Sequence, residues 1–336
     1  MSDRPAVLLT RTLPEEVMRF LEGATDLTVN PEDRPIGRDE LLREVRDRDG
    51  LLSMLTDRID DEVLEAAGER LRVVSNYAVG YDNVDVDACT RGGVLVTNTP
   101  DVLTDATADL AFGLILAAAR RIVEGDRAVR GGTKWSWSPT FMLGREVGGT
   151  TLGVVGFGRI GQAVATRARA FGMDVVYASR TPRPDVESSM GARRLELGAL
   201  IAEADVISVH VPSNEDTHHL FAEEEFRAMK PTAVFVNTAR GPIVDEAALA
   251  RALRGGEIFA AGLDVYEREP EVHPDLLGLA NVVLAPHLGS ATVETRTAMG
   301  MLAARNLLDA AGGRPPVAPV NPEVAPQPRE RRGSAP

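Results

Sequence analysis

Arg240, Glu269 and His287 each follow a short apolar run in the second half of the chain, and they are the residue types of an acid–base site. A guanidinium can hold a small carboxylate in bidentate fashion through its planar fork. A carboxylate beside an imidazole fixes the ring's tautomer and favours its protonated form, making the pair a proton donor to a carbonyl that receives hydride. By spacing alone, Arg240 serves a surface ion pair equally well, and lone His and Glu residues are usually structural or solvated.

A second constellation supplies the hydride side. Gly156-Phe157-Gly158-Arg159-Ile160-Gly161 follows the apolar run 151–155 and opens a helical pattern over 162–171. That context is what a dinucleotide fingerprint requires. Gly156 allows the tight turn, Gly158 lets a pyrophosphate approach the backbone, and Gly161 lets helix and strand pack closely. An acidic residue about 20 positions further on normally ends the second strand and binds the ribose 2′-hydroxyl. Here that strand ends in Ser179-Arg180-Thr181. Ser179 stands where the carboxylate would be and Arg180 adds a cation for a 2′-phosphate, which predicts NADP(H) over NAD(H), with NAD(H) still possible. A solvent-facing Arg180 in a loop is the plainer reading.

Parallel strands must bring these groups to one edge. Strands expected at 152–155, 175–177, 206–209, 233–236, 259–262 and 282–284 alternate with helical patterns and make a six-stranded dinucleotide-binding sheet. Runs at 6–10, 51–55 and 72–75, with helices from Pro14 and Asp60, make an earlier, smaller sheet. The fold class is α/β, with doubly wound parallel sheets in two domains. Between them a long helix, from Thr104 to about Arg130, is apolar on most of its circumference and is expected at an interdomain or subunit interface. A last helix spans about 293–311, and the stretch 313–336, with 7 prolines in 24 residues, reads as a disordered tail.

Composition narrows the partners. A net charge of -13 disfavours nucleic acid. The longest strongly apolar run, 110–119, is half of the roughly 20 residues that span a bilayer, so no membrane is expected. One cysteine, Cys89, and a start without a secretory pattern suggest a cytoplasmic protein and a buried thiol. No metal site is expected, since His218 and His219 are adjacent on an extended segment and should point apart. His210 reads as a packed, hydrogen-bonded residue, and Trp135 and Trp137 as packing residues.

With 76–85 (Asn76-Tyr-Ala-Val-Gly80-Tyr-Asp-Asn-Val-Asp), 98–104 (Asn98-Thr-Pro-Asp-Val-Leu-Thr), Asn237-Thr-Ala-Arg-Gly, Gly262-Leu-Asp-Val-Tyr and Pro286-His-Leu-Gly-Ser-Ala-Thr added, the chain resembles the D-2-hydroxyacid dehydrogenases over about residues 5–315. Within that family it is most similar to the glyoxylate/hydroxypyruvate reductases. The resemblance implies that Arg240, Glu269 and His287 are the catalytic trio, that the Val79 and Gly80 amides help bind the substrate carboxylate, and that Leu55 lines its pocket. Asp264 would meet the nicotinamide amide and Pro212 the adenine. Further cofactor contacts are implied at Thr107, Arg159, Ile160, Thr181, Val211, Thr238, Ala239 and Gly289.

The same resemblance implies a Rossmann cofactor domain, 101–287, inserted into a flavodoxin-like substrate domain made of 1–100 and 288–312. It implies a homodimer in which 135–141 reaches toward the partner, with Phe141 near the pocket. The activity implied is NADPH-dependent reduction of small 2-keto acids, glyoxylate to glycolate and hydroxypyruvate to D-glycerate. Glu269 replaces the glutamine of the formate dehydrogenase branch, which argues against formate. A dehydrogenase for D-lactate, phosphoglycerate or phosphite, and a dinucleotide-sensing protein like the family's corepressors, are the alternative readings.

Overall fold

The apolar runs 6–9, 50–53 and 73–76 are buried along their whole length, as strands covered on both faces must be. In the computed structural model, which describes residues 4–326, they belong to the first of two units, Met1–Leu103 with Thr292–Pro336. Its strands are β1 (Ala6–Leu9), β2 (Asp26–Val29), β3 (Gly50–Ser53), β4 (Val73–Asn76) and β5 (Leu95–Thr97). All pair in parallel, in the flavodoxin-like order β2-β1-β3-β4-β5. The sequence does not reveal β2, a half-buried edge strand, or β5, only three residues long.

The second unit, Thr104–Ala291, holds β6 (Thr151–Val155), β7 (Asp174–Ala178), β8 (Arg193–Arg194), β9 (Val206–Val209), β10 (Val234–Asn237), β11 (Ala260–Leu263) and β12 (Val282–Leu284). The order β12-β11-β10-β9-β6-β7-β8 is the Rossmann order with an added edge strand. There are seven strands where six are expected, because β8 is two exposed arginines with no apolar signal. Every β6 to β12 pairing is parallel, so all carboxyl ends lie on one edge.

Two expectations need correction. The long helix is two, Thr104–Ala119 and Ile122–Arg130, broken where Arg121 turns left-handed (φ 54°) and pairs with Glu124 in the next helix's first turn. The first of them packs within the second unit, against helix Arg159–Ala170 and strands β10 and β11. The tail is ordered through residue 326: Pro319 bridges Thr97, and Asn321 is 1% exposed with its amide hydrogen-bonded to backbone and Thr90. Prolines punctuate this stretch without preventing it from completing a sheet edge, while 327–336 lie outside the described residues. Among the described residues no helix is long and apolar enough to cross a membrane.

Candidate active site

His287 Nδ1 lies 2.9 Å from Glu269 Oε2. The other carboxylate oxygen accepts the Tyr266 N–H at 3.1 Å. Burial pushes the Glu269 carboxyl up, but the His287 hydrogen bond and charge, the Tyr266 N–H and the Arg240 charge outweigh it, leaving the group below its ordinary 4.5. Glu269 is thus ionised at neutral pH and engages Nδ1, which leaves Nε2 as the nitrogen able to deliver a proton.

The turn that carries His287 is built on Asp264, just past β11. The N–H of His287 donates to the Asp264 carbonyl (2.9 Å), and those of Leu288 and Gly289 to its two carboxylate oxygens (2.6 and 2.8 Å). Three successive amides therefore end on one residue that is 1% exposed. This anchoring holds His287 at φ 55°, a left-handed conformation that a side chain rarely adopts without such support. It also keeps 285–291 with the second unit rather than passing to the first at residue 288.

Arg240 is half-buried at the end of a turn that Asn237 closes: its Nδ2 donates to the Arg240 carbonyl (2.9 Å) and its Oδ1 accepts the Ala239 N–H (3.0 Å). The next residue, Gly241, lies so near the Tyr266 backbone that a Cβ there would be 1.8 Å from its carbonyl atoms. Only glycine lets the Arg240 turn meet the Glu269 loop. Glu246 organises that loop from beneath, accepting the N–H groups of Glu267 (2.7 Å) and His273 (3.1 Å) on either side of Glu269. Neither Asn237 nor Glu246 stands out in the sequence as more than a motif residue and a charge in a first helical turn.

The turn after β6 fits a dinucleotide. Gly156 has φ +94°, and a Cβ there would strike the His210 carbonyl at 2.5 Å; at Gly161 it would strike the Gly156 carbonyl at 2.2 Å. Around the Cβ direction of Gly158 nothing lies within 4 Å, so the backbone before helix Arg159–Ala170 is open to a phosphate group. Arg159 and Ile160 begin that helix. Thr238, beside Ala239 past β10, buries a hydroxyl that has no hydrogen-bond partner among the described residues. Buried Thr107 lies by Gly289, whose added Cβ would be 3.4 Å from its hydroxyl.

Past β7, Ser179 is half-buried while Arg180 and Thr181 are exposed. Arg194, not singled out in the sequence, donates from Nε to the Ser179 carbonyl (3.1 Å) and fixes this corner. Val211 and Pro212 follow β9 and its terminal His210, whose Nε2 is 2.8 Å from Ser208 Oγ and whose burial lowers it to about 4. His218 and His219 stack, with ring centroids 4.0 Å apart, instead of pointing apart, because His219 at φ 49° breaks the extended alternation. Among the described residues no group of three or more His, Cys, Asp or Glu is placed to hold a metal. Trp135 and Trp137 are 57% and 81% exposed, so within this chain they are not packing residues.

In the first unit, Leu55 is exposed just past β3. Loop 76–83 follows β4, and its carbonyls are tied inward. Ala78 accepts from the Thr99 N–H (2.9 Å), Val79 from Asn98 Nδ2 (2.8 Å) and Gly80 from Asn76 Nδ2 (2.9 Å). A trans peptide points its N–H opposite its C=O, so the bonds to the Ala78 and Val79 carbonyls aim the half-buried Val79 and Gly80 amides outward from residues 98–99. Successive N–H groups presented in this way can receive an anion. Asn83 ties this loop to the Leu55 loop, donating to the carbonyls of Met54 (3.1 Å) and Asp57 (2.9 Å).

Residues 112–289 match the family model described as D-isomer specific 2-hydroxyacid dehydrogenase, NAD binding domain. The chain is 51% identical over 326 residues to a glyoxylate reductase of Thermococcus kodakarensis, covering 96% of this chain and 97% of that one. Among solved structures, it is similar to a glyoxylate reductase from Paecilomyes thermophila, at a TM-score of 0.85, 35% identity and coverage of 96% and 100%. It is likewise similar to an NADPH-dependent glyoxylate/hydroxypyruvate reductase from Sinorhizobium meliloti in complex with NADP and malonate, at a TM-score of 0.81, 34% identity and coverage of 98% and 99%.

Proposed function

The chain belongs to the D-isomer specific 2-hydroxyacid dehydrogenases, NAD(P)-dependent oxidoreductases, and from that premise we propose that it reduces glyoxylate and hydroxypyruvate with NADPH. The observation that carries the reaction type is the His287–Glu269 pair, 2.9 Å apart, beside a guanidinium that acts electrostatically on the same carboxylate. A reduced nicotinamide, when bound, supplies the hydride. Arg240 holds the substrate carboxylate, and the outward amides of Val79 and Gly80 donate to it. His287 gives the carbonyl oxygen its proton from Nε2, while Glu269 orients the ring and stabilises its charged form. Leu55 offers an apolar wall for a small substrate. Asp264, Thr107, Thr238 and Gly289 line the nicotinamide end, and Val211 and Pro212 the adenine end.

Preference for NADPH is supported by Ser179 and Arg180, an uncharged residue followed by an exposed cation where a carboxylate would repel the 2′-phosphate. A homodimer is supported by Trp135, Trp137, Phe141 and Leu143, which are 45–81% exposed within one stretch and offer apolar surface suited to a second copy. One buried thiol suits a cytoplasmic setting.

The test is steady-state oxidation of NADPH and NADH by the purified protein with glyoxylate, hydroxypyruvate, pyruvate and phosphohydroxypyruvate. Rapid NADPH oxidation with the first two supports the whole reading. Preference for NADH refutes the Ser179-Arg180 argument alone, and preference for pyruvate or phosphohydroxypyruvate moves the substrate within the family. Light scattering on the same sample tests the dimer, and a single-chain mass refutes it.

A further inference from the structure

The stretch 317–321 runs along the outer edge of β5 as a strap. Val320 N–H donates to the Val96 carbonyl (2.8 Å), and Asn321 Oδ1 accepts the Val96 N–H (2.7 Å). At the strand's carboxyl end the strap reaches Asn98, whose N–H donates to the Ala318 carbonyl at 3.3 Å. The Asn98 carbonyl is held by Asn306 Nδ2 (3.2 Å), and Asn306 Oδ1 in turn accepts the Val317 N–H (3.0 Å). Asn306 is fully buried. Both backbone groups of Asn98 are thereby fixed, one by the strap and one by a side chain that the strap engages.

On its other side, the pair Asn98-Thr99 holds two peptide units. Asn98 Nδ2 takes the Val79 carbonyl and the Thr99 N–H takes the Ala78 carbonyl. Each carbonyl shares its rigid peptide plane with the N–H of the following residue. Holding Ala78 O aims the Val79 amide, and holding Val79 O aims the Gly80 amide. A chain of bonds thus leads from the strap, through residues 98–99, to the two outward amides.

We infer that the strap 317–321, acting through Asn306 and Asn98, positions the amides that receive the substrate carboxylate. The inference rests on the role proposed above for Val79 and Gly80. Asn98, Asn306 and Asn321 are positioning residues, and none of them is part of the acid–base pair. Without the strap, Asn98 would lose partners for its backbone at a sheet edge, and its side chain would no longer be held over Val79.

The experiment compares the full chain with Asn98→Ala, Asn306→Leu, a chain ending at Pro316 and a chain ending at Pro326. The first three should raise KM for glyoxylate about tenfold, with kcat and NADPH affinity within about twofold of native, since an oriented amide contact is lost but not the chemistry. The chain ending at Pro326 should behave as native. Adding Asn98→Ala to the chain ending at Pro316 should raise KM no further, because both changes break one path. A native KM for folded Asn306→Leu, or additive effects in the combined variant, overturns the inference. So does parallel loss of NADPH affinity and kcat, the mark of general destabilisation. If the chain ending at Pro316 does not fold, the two point variants decide.

A full-length protein that turns over no 2-keto acid refutes the proposed function instead. The strap is then judged by hydrogen exchange at the Thr99 N–H, expected to be about tenfold faster in Asn306→Leu, as for a hydrogen bond opened locally. Native exchange there overturns it.

Discussion

The carboxyl edges of the two sheets carry different chemistry. At the second sheet, Arg240, Asp264, Glu269 and His287 are charged or titratable side chains, and each is held by a neighbour that fixes its state or its place. At the first, the groups presented are backbone amides of Val79 and Gly80, with the neutral side chains of Asn76, Asn83 and Asn98 behind them. A proton donor has to control ionisation as well as position, so it needs charged partners. An amide needs only direction, which neutral hydrogen bonds supply without the desolvation cost of a buried charge.

If that contrast holds, damage to the second edge removes chemistry and damage to the first removes binding. His287→Ala should lower turnover about 10²-fold to 10⁴-fold while leaving NADPH affinity near native. Asn98→Ala, which frees the Val79 carbonyl and with it the Gly80 amide, should raise KM for glyoxylate about tenfold with little change in kcat. Steady-state kinetics with an independent NADPH titration reads both. Native turnover in His287→Ala, or a collapse of kcat in Asn98→Ala, breaks the comparison.

Arg180→Ala sharpens the contrast within the second unit, since Arg180 is charged but stands apart from the proton-transfer pair. It should weaken NADPH by about 1.5–3 kcal/mol, the worth of a hydrogen bond to a charged group, and leave NADH nearly unchanged. Equal weakening of both would mean that Arg180 does not read the phosphate.

The same contrast explains what was legible in the sequence. Side-chain chemistry announces itself by residue type, so Arg240, Glu269 and His287 could be picked out, and the glycine turn by its context. Strands buried on both faces were visible as apolar runs; β2 and β8, at sheet edges, and the short β5 had too little apolar length. Supports of the site were hidden for a different reason. Glu246 reads as an ordinary first-turn acid of helix Glu246–Gly255, and its hold on Glu267 and His273 exists only once the loop has closed over it. Proline content predicted disorder over 313–336, but in the described part, through residue 326, the deciding fact is that β5 offers an open edge and Asn321 can satisfy it. Cys89 lay within reach of composition alone: it is buried, its thiol pushed up to about 12, and it should resist alkylation at neutral pH until the protein unfolds.

The smallest effects separate two carboxylates that serve one loop. Glu269 is held below its ordinary 4.5. Its contribution to stability is therefore complete above that value and is lost as pH falls through the depressed one. Glu246 runs the other way, because its burial outweighs the two N–H groups it accepts and raises it above 4.5. Its contribution is complete below that value and is lost as pH rises through the raised one. Each tenfold change in proton affinity is worth about 1.4 kcal/mol, so the effects should appear as modest slopes in Tm against pH. Glu269→Gln should flatten the acid side of that curve, and Glu246→Gln the side just above 4.5. Thermal unfolding of the two variants and the native chain from pH 3 to pH 8 reads both signs, on the order of the ordinary carboxylate range. If both substitutions flatten the same side, the loop does not set its two carboxylates in opposition, and Glu246 acts only as a hydrogen-bond acceptor beneath Glu269.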